Sequence, residues 1–212
     1  MQFRVVERRP MTNTARSLTN AAAIAAIIAA SAACSSQATT PPDAVTGGTT
    51  IKSAPENNPA GDIPDNQVFV PFTTPEGHFT VSVPEGWART TEGSATVFSD
   101  KLNTVRIEAH PRPAAATTES VSAGELPRIK SFTPGFQSGA VSAVRRKAGE
   151  VILLTYRGTA PANPVTGKTS DDDFERYAYW HAGQEAILTL SGPVGADNVD
   201  PWRIITDSLT WR

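Results

Sequence analysis

The sequence predicts an α+β domain filling roughly its last 145 residues, and three observations predict it. Short runs of alternating apolar residues recur between positions 68 and 191, parted by Gly- and Pro-containing turns. One stretch, residues 118–132, switches to a helical period. The chain then closes on a helix-start signal around Asp200 and Pro201.

The first strands are expected at residues 68–73 and 79–83, where Phe79, Val81 and Val83 share one face. Pro84-Glu-Gly86 ends the second, and Trp87 is expected to plug the edge of the core. Residues 94–99 and 104–110 form a pair about Lys101-Leu-Asn103. In its second member Val105, Ile107 and Ala109 point inward, and Arg106, Glu108 and His110 point to water. Residues 118–132 are expected to form a short or broken helix. Ser122 and Glu125 offer a capping box, Val121, Leu126 and Ile129 an apolar side, and Gly124 and Pro127 interrupt it.

A hairpin about Ala148-Gly-Glu150 joins residues 141–147 to 151–157, whose Val-Ile-Leu-Leu run suits a sheet interior. Residues 159–173 are expected to form a long loop, followed by strands 174–181 and 185–191. In the last helix Asp200 is the expected N-cap, Pro201 the first helical residue, and Val199 with Ile204 a hydrophobic staple. Trp202, Ile205 and Leu209 continue its apolar stripe, and Trp211 is expected to be tied against the body.

Upstream of the domain, the only cysteine, Cys34, closes an Ala/Ile-rich run of about 13 residues. That run is short of the roughly 20 residues that cross a bilayer but suits the apolar part of a signal peptide. Arg4, Arg8, Arg9 and Arg16 supply the positive region before it, and either Met1 or Met11 serves as the start. Ala32, Ala33 and Cys34 resemble a lipobox, with Ser31 standing where the usual pattern has Leu, Val or Ile. Residues 1–33 therefore read as a lipoprotein signal peptide, with Cys34 as the acylated first residue of the mature chain. A cleaved secretory peptide that leaves a spare thiol and an uncleaved anchor are the alternatives. Lipidation implies a membrane partner through the anchor and the extracytoplasmic face of the cell membrane as location. Residues 34–66, rich in Ser, Thr, Pro, Gly and Asn, read as a tether, whose ends as a flexible coil of roughly 30 residues lie on the order of 30 Å apart. Its Ser and Thr content also permits glycosylation. Residues 67–212 are the globular domain.

The charge balance narrows the partners. A net charge of −2 with scattered Lys and Arg excludes nucleic acid, which needs a concentrated basic face. Arg145-Arg146-Lys147 reads as a solvated hairpin end. No cysteine remains after Cys34, so disulfides and thiolate metal sites are excluded in the domain.

Catalytic patterns are scarce. Gly135-Phe-Gln-Ser138-Gly139 lacks the spacing of a nucleophile elbow, and His78, His110 and His181 read as separate surface residues. Asp171, Asp172 and Asp173 are the one candidate metal cluster, a weak one. Consecutive side chains diverge and the spaced calcium-loop pattern is missing, so a solvated loop is expected there. No cofactor is expected.

Gly77-His-Phe-Thr-Val-Ser-Val-Pro-Glu-Gly-Trp87 resembles the opening signature of the Mog1/PsbP-like superfamily. Residues 188–211, from Leu188-Thr-Leu-Ser-Gly-Pro through Asp200-Pro-Trp-Arg-Ile-Ile to Trp211, resemble its closing strand, helix and tryptophan. With the lipobox and tether, the whole is similar to LpqN-type lipoproteins of mycobacteria and related actinobacteria. The resemblance implies an antiparallel sheet flanked by helices, an α/β/α sandwich, in a family of mainly non-catalytic binding or assembly factors. The matched residues, Phe79, Pro84, Gly86, Trp87, Pro201, Trp202, Leu209 and Trp211, serve the fold and transfer no active site. The expected function is a non-enzymatic envelope module that binds a glycolipid or a protein partner. The alternative is a hydrolase of envelope esters or glycans whose site assembles only on folding.

Overall fold

The structure is a computed structural model that describes residues 60–162 and 167–212. Among the described residues ten strands form two antiparallel sheets. The small sheet has the order β1 (Phe69–Thr73), β2 (Phe79–Pro84) and β10 (Thr210–Trp211). The large sheet runs β3 (Ala88–Glu92), β4 (Ala95–Ser99), β5 (Thr104–Pro111), β9 (Gln184–Pro193), β8 (Asp171–His181), β7 (Gly149–Thr159) and β6 (Gln137–Arg146). Helical residues lie between β5 and β6, and α3 (Val199–Asp207) lies between β9 and β10.

Period-two alternation sorts the large sheet into two buried faces. One face, with Val105, Ile107, Val151, Tyr177, Tyr179, Leu188 and Leu190, packs on Phe79, Val81 and Val83 of the small sheet and on Trp202, Ile205 and Leu209 of the C-terminal helix region. The other, with Ile152, Leu154, Tyr156, Ala178 and Ile187, packs on Val121, Leu126 and Ile129. The large sheet is thus flanked by helix on each side, an α+β sandwich. None of the described helices is long and apolar enough to cross a membrane.

Several expectations are corrected. β3 had no counterpart because all five of its residues are exposed and leave no apolar alternation to read. Residues 118–132 are unbroken: α1 (Thr118–Ser120), a π-helical turn (Val121–Glu125) and α2 (Leu126–Phe132) run on continuously. Pro127 has no N–H and its ring crowds the carbonyl four residues back. The widened turn, in which Leu126 N–H reaches the Val121 carbonyl, lies directly before it and lets the helix continue. Its capping box is Thr117 with Ser120, not Ser122 with Glu125. Asn198 replaces Asp200 as N-cap of α3, Pro201 is the third helical residue, and Val199 and Ile204 are exposed and form no staple. Packing also begins earlier than Gln67, since Ile63 is buried in the main core.

The face of β5 read as solvated instead carries an ion-pair network. Arg176 bonds Glu125 at 3.0 Å and Glu108 at 3.3 Å, while Arg106 bonds Glu92 at 2.7 Å and reaches Glu108 at 3.4 Å. Arg112 pairs with Glu125 and Glu185. Burial pushes the Glu108 carboxyl up, but Arg176 and Arg106 together hold it below its ordinary range. Burial also raises Glu185, and there Arg112 does not fully offset it. Arg146, expected on a solvated hairpin end, lies 4.8 Å over the Tyr177 ring and donates to Thr206 Oγ1 at 3.0 Å, which ties α3 to the sheet.

Candidate functional site

A cleft of about 520 Å³ opens where α3 begins over the ends of β6, β7 and β8. Its floor is formed by residues 137–139, 155–157 and 173–175, and its wall by Pro193, Ala196, Asn198, Val199 and Trp202. This volume falls in the range of small-molecule sites, roughly 300–1,000 Å³.

A β-bulge shapes the floor. Between the pairs Ser138–Tyr156 and Val141–Leu154, β6 sets Gly139 and Ala140 against the single residue Thr155. Ala140 N–H donates to Thr155 Oγ1 at 2.9 Å. A β-carbon at Gly139 would lie 2.3 Å from that oxygen and 2.5 Å from the Thr155 carbonyl oxygen, so only glycine fits.

Polar groups converge on the cleft with most of their charge internally balanced. Arg157 Nε donates to Asp173 Oδ1 at 2.6 Å on the half-exposed rim. Glu175 accepts the Tyr177 hydroxyl at 2.5 Å, and Arg146 donates to the same hydroxyl at 2.8 Å. Burial, then Glu175, raises the Tyr177 hydroxyl above the usual phenol range, so it stays protonated as a donor. Trp202 differs from these groups. Its side chain is buried, with 7 % exposure, and its Nε1–H has no hydrogen-bond partner among the described residues. A buried donor left unpaired costs about 1–3 kcal/mol.

The residues singled out from the sequence are placed differently. Cys34 lies outside the described residues. Asp171, Asp172 and Asp173 open β8 instead of sitting in a loop, and the strand turns them to alternate faces. Thr159 donates to Asp171 at 3.1 Å, Ser170 donates to the buried Asp172 at 2.8 Å, and Asp173 holds Arg157. They therefore do not converge on a shared ion. Burial raises the Asp172 carboxyl above its ordinary value, and Ser170 and Ser191 only partly offset this.

Ser138 lines the cleft, but no histidine is among the described residues that line it. His110 is half-exposed, 3.9 Å from Glu108, and His181 stacks on Trp211. Reading the sequence assigned Trp202 to the apolar stripe of a helix and left Arg157 and Glu175 without a role. The available signal was the indole N–H, which a buried tryptophan normally pairs.

No family model matches the chain, and no curated protein matches it. Solved structures do. The cyanobacterial PsbP of Synechocystis matches with a TM-score of 0.50 and 12 % identity over 73 % of this chain and 100 % of that one. The Ran-binding protein Mog1p of Saccharomyces cerevisiae matches with a TM-score of 0.45 and 10 % identity, over 68 % of this chain and 96 % of that one. LpqN of Mycobacterium tuberculosis, described as involved in cell envelope biogenesis, matches with a TM-score of 0.36 and 18 % identity, over 69 % and 91 %. The chain spans about half, 48 %, of a longer Bacteroides thetaiotaomicron protein that it also matches. The likeness to PsbP is one of fold: the domain has a PsbP-like fold.

Proposed function

We propose that this protein is an LpqN-type lipoprotein, held on the extracytoplasmic face of the cell membrane through Cys34, that binds an envelope component in the cleft beneath α3 and catalyses no reaction. The observation that carries the reading is the buried Trp202 indole N–H, unpartnered beside an open cleft. The lipobox and the Ser/Thr/Pro-rich segment after it support the anchoring. A glycolipid supplies hydroxyl or carbonyl acceptors to the indole N–H, and so does the backbone of a protein partner.

The test is capture from envelope extracts by the native lipoprotein and by Trp202→Phe, which keeps an aromatic ring but removes the donor. Mass spectrometry of the retained material should find a component held by the wild type and reduced about tenfold in the variant, as loss of one buried hydrogen bond predicts. Equal retention by both proteins would refute the cleft as the site. Intact mass of the native protein should begin at an acylated Cys34, and an unacylated product cut elsewhere would refute the anchor.

A further inference from the structure

The chain enters the domain along the wall of the cleft. Gly61 lies against Pro193, so closely that an added β-carbon would fall 2.6 Å from the proline ring. Asp62 accepts the backbone N–H of Asp197 at 2.8 Å, and Ile63 is buried in the main core. The joint between this segment and the site is Asn198. Its Oδ1 accepts the Ile63 amide at 2.8 Å, and its Nδ2 donates to the Gly61 carbonyl and to Asn103 Oδ1, each at 3.0 Å.

Asn198 is the N-cap of α3, and its side chain makes no capping bond. An N-cap side chain bonds the second or third helical amide, and here the third residue is Pro201, which has no N–H. The side-chain carbonyl of Asn198 bonds the entering chain instead. Its backbone carbonyl accepts the Trp202 amide at 3.0 Å, and both Asn198 and Trp202 line the cleft.

We propose that residues 61–63 form a strap whose seating is coupled through Asn198 to the state of the cleft, so that the anchored side of the chain regulates the site. The inference rests on the binding reading above. Seating the strap fixes Asn198, and with it the first turn of α3 that carries Trp202. Unseating it loosens that wall. Because coupling is reciprocal, a ligand that fills the cleft must hold the strap in place by the same factor with which the strap favours the ligand.

The test needs no ligand and uses the full chain, ¹⁵N-labelled and held in detergent micelles. Ile63→Ala weakens the strap by removing a buried side chain that is not part of the cleft lining, and it decides the coupling; Gly61→Ala strains the strap at a φ of +101° but also presses its β-carbon on Pro193 of the cleft wall, so it serves as the second probe of the strap. Hydrogen exchange at the Ile63 amide reports the strap, and exchange at the indole N–H of Trp202 reports the cleft, its resonance assigned with Trp202→Phe. Both should exchange about tenfold faster in each variant, while the Trp180 indole, bonded to the Arg112 carbonyl at 2.8 Å, should stay unchanged. Faster exchange at Ile63 with Trp202 unmoved would overturn the coupling. An Ile63 amide still protected in both variants would overturn the strap itself. Neither result bears on whether envelope material is captured, so this inference and the binding reading fail separately.

Discussion

Trp211 packs edge-to-face on Phe79, ring centroids 5.6 Å apart, while its backbone pairs with that same residue across β10 and β2. The next-to-last residue thus closes the small sheet on a side chain that is fully buried. His181 stacks on the same indole, ring centroids 5.6 Å apart. Trp211→Ala should lower stability by about 2–3 kcal/mol in urea denaturation, and Trp211→Phe by less than about 1.5 kcal/mol. A loss under about 0.5 kcal/mol for the alanine variant would mean that the C-terminus is not pinned this way.

Two glycine substitutions should have opposite signs. Gly139→Ala forces a β-carbon into Thr155 at the bulge and should destabilise by about 1–3 kcal/mol. Gly124→Ala adds a methyl group where nothing lies within 4 Å, on the exposed side of the helical segment, and should stabilise by about 0.5–1 kcal/mol. Thermal denaturation of the two variants side by side measures both. Equal signs would contradict either the bulge or the continuity of the helix.

The strands were legible because most carry period-two apolar residues, and Phe79, Val81 and Val83 lie buried as that spacing requires. β3 was not legible, since Ala88-Arg-Thr-Thr-Glu92 is exposed throughout and is held by Arg89, whose guanidinium lies 4.8 Å over the Phe72 ring, and by Glu92, paired with Arg106. Gly124 and Pro127 argued locally for a break, and a π turn absorbs them instead. The N-cap of α3 was misplaced because Asn198 uses its side chain on a residue 135 positions away, a contact that no local pattern encodes. The cleft was invisible for the same reason: its walls come from four segments between Gln137 and Trp202 that meet only in three dimensions.

Asp172 should make stability depend on pH in a defined direction. Its folded pKa is raised by burial, so its stabilising contribution is fully present below the unfolded value and is lost as pH rises through the folded value. Asp172→Asn removes that loss. The melting temperature of the variant relative to wild type should therefore climb as pH rises above the ordinary aspartate range and level off once the folded Asp172 carboxyl is ionised. Glu108, whose pKa is lowered, acts in the opposite direction in both proteins and cancels from the difference. A difference that is flat, or that falls with rising pH, would contradict the burial of an ionisable Asp172.

The most direct measurement of the central claim is the indole N–H resonance of Trp202 in the native lipoprotein, recorded before and after addition of total envelope extract. If the cleft takes an acceptor-bearing envelope component, this resonance shifts downfield and its exchange with solvent slows, while Trp180 on the opposite face of the sheet stays where it was. An indole spectrum unchanged at Trp202 with extract in excess would contradict the account.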